Sequence, residues 1–151
     1  EKDLSVKDDP ELTEDGQRRA FELTRQMKDA DVVASIDAIY STPFKRNVAT
    51  VEPLSKLLEL PINLYDKNDY ESVLETILDN HKGKIILVVG HSDTLANLMA
   101  ELGASKSVPT IADNEYDNIY IVSIPWFGKT KTIRLRYGAP YDPDGKVRAI
   151  K

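Results

Sequence analysis

Apolar residues along the first hundred positions change repeatedly between helical spacing and short continuous runs. Ala20, Leu23 and Met27 lie three and four positions apart, which predicts a helix from Thr13 to about Asp29 with Thr13 as its N-cap. The same pattern predicts helices over residues 43–59, 70–78 and 95–102 and strands over residues 36–40, 62–64 and 85–89. Strands that alternate with helices indicate a mainly parallel sheet covered on both faces.

Two further stretches complete this fold prediction. The run Ile85–Val89 is rich in β-branched residues and is typical of a strand buried on both faces. Asn118–Ile124 and Thr130–Tyr137 predict two strands joined by a connection that contains Gly128, a hairpin expected to extend the sheet in antiparallel fashion. We therefore expect one domain over residues 1–151, of class α/β, with three α/β/α layers.

Composition and charge narrow the classes of function. The 151 residues are 41% hydrophobic and 30% charged, a balance typical of a globular domain. A net charge of -5 predicts no general attraction to nucleic acid or anionic lipid, so a phosphate site would have to be built locally. The absence of cysteine excludes disulfides and thiolate metal sites, and the longest apolar run is too short to span a bilayer.

The chain begins with Glu1 rather than Met, so we expect that it is not a raw translation product. Removal of a signal peptide is one explanation. The compartment therefore stays open between the cytoplasm and the periplasm or extracellular space, and the oligomeric state stays open too.

The segment Gly90-His91-Ser92 lies where the run Ile85–Val89 ends and a helix begins. Ligands of open α/β sheets bind beyond the carboxyl ends of the strands, and the N–H groups of a helix N-terminus attract anions. We predict a phosphate-handling site in which His91 faces the crevice and Ser92 binds phosphate. The alternative is a satisfied core histidine followed by a serine that only caps the helix.

Arg46 lies near the start of the helix predicted over residues 43–59, after a similar strand end. The helix dipole disfavours a cation there, which points to a functional reason for its position. A guanidinium binds phosphate through two parallel hydrogen bonds. A surface arginine paired with a nearby carboxylate is the alternative.

The residues present do not support three other kinds of functional site. Gly-His-Ser-Asp-Thr is similar to the nucleophile elbow of α/β-hydrolases, with Ser92 as nucleophile, but no histidine follows residue 91. Two histidines without H-x-x-x-H spacing give zinc no evident ligand set, and no G-x-x-x-x-G-K-[ST] loop is present. The other histidine, His81, stands in a lysine-flanked turn and is expected to be solvated.

Four segments follow one another in a recognisable order: Leu12–Gln17, Ser41–Thr50, Val88–Thr94 and Glu115–Tyr120. Ser41–Thr50 resembles the S-[ST]-P-x-x-R-x-x-x-T segment of the histidine phosphatase superfamily, the phosphoglycerate-mutase-like proteins. The other three resemble its first-helix, second-histidine and late-strand segments. Each is weak alone, but together they span residues 11 to about 136 in family order.

The resemblance implies a compact, bacterial-type phosphoglycerate-mutase-like fold and a histidine nucleophile that accepts a phosphoryl group. Arg46 and His91 match the arginine and second histidine that neutralise charge on that group. Glu71, or alternatively Asp69, lies where the family often carries its general acid; helical periodicity also explains both as solvated residues. Asp93 stands where asparagine is common, and its carboxylate would repel phosphate unless it points away or meets a cation. Neither the residues nor the resemblance requires a metal or a cofactor.

The family's hallmark is absent from this sequence. Its first strand ends in Arg-His-Gly or Arg-His-Ala, whose histidine is the nucleophile, and no such motif occurs here. Glu1-Lys2-Asp3 resembles the residues directly after that motif in many members. We therefore expect an upstream segment that carries the nucleophile and a central strand. Without that strand a cavity would open and two neighbouring strands would lose a partner.

The resulting hypothesis is a phosphatase that acts on a phosphomonoester or phosphohistidine of a small molecule or phosphoprotein. We expect no nucleic-acid partner and no insertion into a membrane. A catalytically silent relative that binds phosphate through Arg46 and His91 is the alternative. A mutase is less favoured, because only about 45 residues separate these two and leave little room for a substrate lid.

Overall fold

The computed structural model describes residues 1–3, 5–29, 35–104 and 109–143. Within these ranges the helices are α1 (Glu14–Asp29), α2 (Lys45–Leu58), α3 (Tyr70–Asn80) and α4 (Ser92–Glu101). The strands are β1 (Ala38–Ser41), β2 (Ile62–Leu64), β3 (Ile86–Val89), β4 (Asn118–Ser123) and β5 (Lys131–Arg136). The order of helices and strands is the one that the apolar pattern predicts. No helix in these ranges is long and apolar enough to cross a bilayer.

β1 is the central strand of a parallel sheet with the order β2-β1-β3. Ile39 lies opposite Ile62 of β2 on one side and Leu87 of β3 on the other. All four residues of β1 are buried. The predicted parallel sheet is confirmed, and its carboxyl edge is where β1 and β3 end side by side.

Two apolar clusters cover the two faces of β1. Ile39 packs with Val51 and Leu54 of α2, while Tyr40 packs with Val73 of α3 on the opposite face. α1 lies against α2, and α3 contacts α4. The sheet therefore lies between two helical layers, as the α/β/α prediction requires.

The late hairpin does not extend this sheet in the part of the chain that the structure describes. β4 and β5 form a separate two-stranded antiparallel sheet, in which Ile121 pairs with Ile133. The prediction of a continuous sheet is wrong here because no strand pairing joins β4 to β3. A cleft of about 1060 Å³ is lined by residues of both strands.

β3 is less buried than the sequence predicts. Its four residues are only partly buried, and the preceding Ile85 is 41% exposed. One edge of β3 pairs with β1, but β3 also forms a wall of the cleft. Leu23 of α1 and Leu98 of α4 line the same cleft, so both helical layers reach it. The cleft thus has apolar walls from β3 and from both helical layers.

α2 begins two residues later than predicted. Phe44 is its N-cap, and the Lys45 N–H donates to Asp9 Oδ1 at 2.9 Å. The N-terminal loop therefore supplies the carboxylate that starts α2.

The N-terminal residues pack against the start of α1. Thr13 Oγ1 accepts from the Gly16 N–H at 3.1 Å, so Thr13 caps the helix as predicted. The Thr13 N–H donates to the Glu1 carbonyl oxygen at 3.1 Å. A Cβ atom at Gly16 would lie 2.3 Å from that oxygen, which leaves room only for glycine.

We expect Gly16→Ala to lower the free energy of unfolding by about 1–3 kcal/mol, because the added methyl group must displace the Glu1 backbone. Urea titration followed by circular dichroism measures the change. Gln17→Ala, at an exposed neighbouring position, is the control and should change stability by less than about 0.5 kcal/mol. Equal stability of the two variants would show that the close approach of Glu1 to Gly16 is not required.

Candidate active site

His91 lies at the carboxyl end of β3, directly before α4. Its backbone is extended, and it is the N-cap residue of α4. Nε2 lies 2.9 Å from Oγ1 of Thr42, which is fully buried at the end of β1. The ring of Phe44 meets the imidazole edge to face, with centroids 4.9 Å apart. The residues that follow β1 therefore hold the histidine that follows β3.

Arg46 reaches His91 from the first turn of α2. Its Nη2 atom lies 3.3 Å from Nδ1 of His91, and its guanidinium carbon lies 4.8 Å from the centre of the Phe44 ring. The Asp9 carboxylate is 3.9 Å from Nη1, a long contact for an ion pair. The structure thus brings the two predicted phosphate-binding residues together, and among the described residues the guanidinium has only His91 and the distant Asp9 as polar partners.

The proton position on His91 follows from its two partners. A guanidinium only donates, so Nδ1 accepts from Arg46 and the proton of the neutral ring lies on Nε2, which donates to Thr42. Burial, followed by the positive charges of Arg46 and Lys67, lowers the pKa of His91 from 6.5 to about 4. The ring is therefore neutral at pH 7.

The charge around His91 is positive although the chain carries -5 overall. Arg46, Lys67 and Lys2 all act to lower the pKa of His91, and Asp93 opposes them. Asp93 is 62% exposed, and its Oδ2 atom lies 3.0 Å from Nζ of Lys67. Its carboxylate therefore meets a cation, one of the two arrangements in which it would not repel phosphate.

Buried side chains fix the end of β3. The Asn47 amide of α2 donates to the carbonyl oxygen of Gly90 at 2.8 Å. The Tyr65 hydroxyl donates to Val89 O at 3.2 Å, and burial raises its pKa to about 12, so it stays protonated. A Cβ atom at Gly90 would lie 2.9 Å from that hydroxyl, so this position also favours glycine. The backbone beneath His91 is thus held from two neighbouring elements.

The remaining predicted site residues lie in different surroundings. Ser92 is the first residue of α4, is partly buried and lines the cleft. Glu71 in the first turn of α3 and Asp69 just before it are exposed, and neither lines the cleft. Among the described residues, no hydrogen bond or ion pair joins them to His91 or Arg46. No group of three or more metal-ligating side chains occurs in those same residues.

His81 is not the solvated loop residue that the sequence predicts. It is partly buried, and its Nε2 atom lies 2.9 Å from the hydroxyl oxygen of Tyr40. The two rings meet edge to face, because Tyr40 projects from β1 toward α3 and the turn after α3 packs on it. His81 precedes β3 while His91 follows it, so the two histidines lie at opposite ends of the strand.

Sequence reasoning missed several residues that shape the site: Thr42, Asn47, Tyr65 and Lys67. Thr42 and Asn47 stand in the same Ser41–Thr50 segment as Arg46, which is the only signal that could have found them. Lys67 and Tyr65 follow β2, and their contacts with the end of β3 and the start of α4 come from strand pairing.

Comparison with known proteins agrees with this arrangement. Residues 1–67, which include Arg46 and end before His91, match the sequence profile of the histidine phosphatase superfamily (branch 1). A mycobacterial glucosyl-3-phosphoglycerate phosphatase in complex with inorganic phosphate matches with a TM-score of 0.64 and 12% identity, over 87% of this chain and 89% of that chain. Its native structure matches with a TM-score of 0.52 and 13% identity, over 68% and 70%.

No curated protein sequence matches this chain significantly. At 12% and 13% identity the two structures show the fold alone. Together with the profile match, they confirm the resemblance to the superfamily and its phosphoglycerate-mutase-like fold.

We expect stability to fall as the pH decreases from about 6.5 to about 4, because the unfolded chain protonates His91 in this range and the folded chain does not. His91→Gln should flatten this part of the stability profile. Urea midpoints measured between pH 4.5 and 7.5 for both proteins provide the check. Parallel profiles would show that His91 titrates normally in the folded state.

Proposed function

The chain carries the superfamily's sequence pattern over residues 1–67 on a fold of that superfamily, and from this premise we propose that it is a phosphatase. It hydrolyses a phosphomonoester or a phosphohistidine through a phosphohistidine intermediate. The observation that carries the proposal is the contact of Arg46 with His91 where β1 and β3 end side by side.

Arg46 supplies the main positive charge for the phosphoryl group. Its side chain is 22% exposed, and its aliphatic stem and Phe44 shield the guanidinium from part of the solvent. Charge-assisted hydrogen bonds are stronger in such partly desolvated surroundings. As the phosphoryl group transfers, negative charge on its oxygens is stabilised by donors already in place.

His91 responds to the ligand through its protonation state. A phosphoryl dianion next to the ring favours the charged form and raises the pKa above its ligand-free value of about 4. On protonation Nδ1 becomes a donor, so it can no longer accept from Arg46. The guanidinium then turns to the phosphoryl oxygens, and Nδ1 donates to them as well. Ser92, at the N-terminus of α4, adds a hydroxyl near the same group.

The nucleophile comes from a histidine upstream of Glu1 in this proposal. Glu1, Arg46 and His91 all line the cleft between β3 and β4. A strand joined to Glu1 and seated in the cleft would end beside Arg46 and His91. The apolar cleft walls from both helical layers support this placement, since a central strand needs apolar neighbours on both faces.

We expect Arg46→Ala to lower phosphatase activity by about 2–4 kcal/mol of transition-state stabilisation in a polypeptide that includes the upstream segment. The rate of hydrolysis of a generic aryl phosphate measures this activity. An acid-labile phosphoenzyme should accumulate in the parent protein. Lys45→Ala is the matched control, because it removes a neighbouring cation that is 60% exposed and contacts Glu11 rather than His91. Unchanged turnover in Arg46→Ala would remove this residue from the mechanism.

Glu71 remains the proposed general acid, with Asp69 as its alternative. Protonation of the leaving oxygen requires Glu71, an exposed residue on α3, to approach the site when substrate is bound. We expect Glu71→Gln to lower kcat for a substrate with a poor leaving group and to leave turnover of an activated aryl phosphate nearly unchanged. An equal loss with both substrates, or no loss with either, contradicts the role.

A catalytically silent phosphate-binding protein is the second candidate. It is favoured by one observation: of the two histidines in the 151 residues, His81 lies at the opposite end of β3 from the site. Intact mass measurement of the natural polypeptide separates the two functions. If an upstream histidine is present and a phosphoenzyme can be trapped, the protein is a phosphatase. If the protein binds phosphate but has no upstream histidine and forms no phosphoenzyme, it is the silent relative.

A further inference from the structure

Two aromatic side chains stand fully in solvent at the tip of the hairpin between β4 and β5. Trp126 is 101% exposed and Phe127 is 92% exposed. Ile124, which leads into the tip, is 50% exposed. Large aromatic residues are usually buried, so two adjacent exposed ones indicate a surface that is covered by something.

The hairpin is also the basic part of an acidic chain. Residues 118–136 contain no aspartate or glutamate, whereas the whole chain carries -5. Arg134 and Arg136, near the base of the hairpin, pair with acidic residues that precede β4. Lys129 and Lys131 are exposed beside the tip, and the described ranges contain no ion pair for either. Two cations without an ion pair in the described part of the chain therefore follow the aromatic pair.

The tip borders the same cleft as the candidate active site, since Trp126, Arg46 and His91 all line it. Tyr116, just before β4, lines this cleft. β4 then leads away over six residues, about 20 Å at the usual rise of a strand. The turn with Lys82 and Lys84, which precedes β3, borders the same cleft as Trp126. The length of β4 therefore separates the tip from the segment that lies next to Arg46 and His91 in the cleft.

We propose that this tip, Ile124–Lys131, binds the surface of an anionic lipid bilayer, with Trp126 and Phe127 in the interfacial region and Lys129 and Lys131 at the headgroups. Aromatic rings favour the interface, and lysines near an anionic surface are attracted to it. The overall charge of -5 does not prevent this, because charges more than about 8 Å away are largely screened at physiological salt.

The size of the tip favours a bilayer over a protein. Two aromatic side chains offer roughly 300–500 Å² of surface, whereas a stable protein interface takes about 800 Å² from each partner. A bilayer needs no matching pocket, so a small aromatic tip with flanking cations is enough for reversible binding. This inference does not depend on the proposed phosphatase activity.

Trp126 is the only tryptophan, so its fluorescence reports on the tip alone. Vesicles of phosphatidylcholine with a minority of phosphatidylserine should shift its emission to the blue at low salt, and brominated lipids should quench it. Pure phosphatidylcholine vesicles should produce a much smaller shift. Raising the salt concentration should release the protein, because the lysine contribution is electrostatic.

Matched variants keep Trp126 as the reporter. Phe127→Ala should weaken vesicle binding at least tenfold, and Lys129→Gln with Lys131→Gln should weaken it about fivefold for each charge removed. Ile133→Ala is the control, since Ile133 is 57% exposed on the same hairpin but away from the tip. It should bind as the parent does.

Three results would overturn the proposal. The first is an unchanged emission spectrum with anionic vesicles at low salt. The second is a blue shift that arises without vesicles and grows with protein concentration, which would make the tip a contact between copies of the chain. The third is an equal loss of binding in Ile133→Ala and Phe127→Ala, which would assign the contact to the strand face.

Discussion

The complete burial of β1 is the constraint on which the candidate site depends. Its four residues are covered by β2 and β3 at the edges and by α2 and α3 on the faces. Thr42, the first residue after β1, is also fully buried. The buried Thr42 hydroxyl needs a hydrogen-bond partner, and it finds one in the imidazole of His91. The position of the histidine therefore follows from the packing of the central strand.

The contact between Arg46 and His91 is tolerated because the imidazole is neutral. A protonated ring next to a guanidinium would place two positive charges about 3.3 Å apart in partly desolvated surroundings. Burial, followed by the positive charges of Arg46 and Lys67, lowers the pKa of His91 and keeps the ring neutral. Without a ligand, the cations around the ring have only Asp9 and Asp93 as carboxylate partners among the described residues. An oxyanion would be bound by groups that are already in position.

The cleft between β3 and β4 explains the main departures from a closed α/β/α domain. β3 is only partly buried, and the hairpin forms its own sheet, because the two strands do not pair with each other. Apolar residues of both helical layers line the space between them. Leaving such surface in contact with water costs about 25 cal/mol per Å². The strand proposed to carry the nucleophile would cover part of this surface.

The sequence alone determined the type and order of the elements, since local periodicity, caps and turn residues act over a few neighbouring positions. It also placed Arg46 and His91 correctly at two strand ends, because each follows a short apolar run. Only the tertiary structure decided which strands pair, and with that the exposure of β3 and the separate hairpin sheet. The packing of His81 on Tyr40 could likewise not be predicted from the local sequence pattern, because it joins residues 41 positions apart. A periodic pattern shows which face of an element is apolar, but whether a partner covers that face depends on contacts that are distant in the chain.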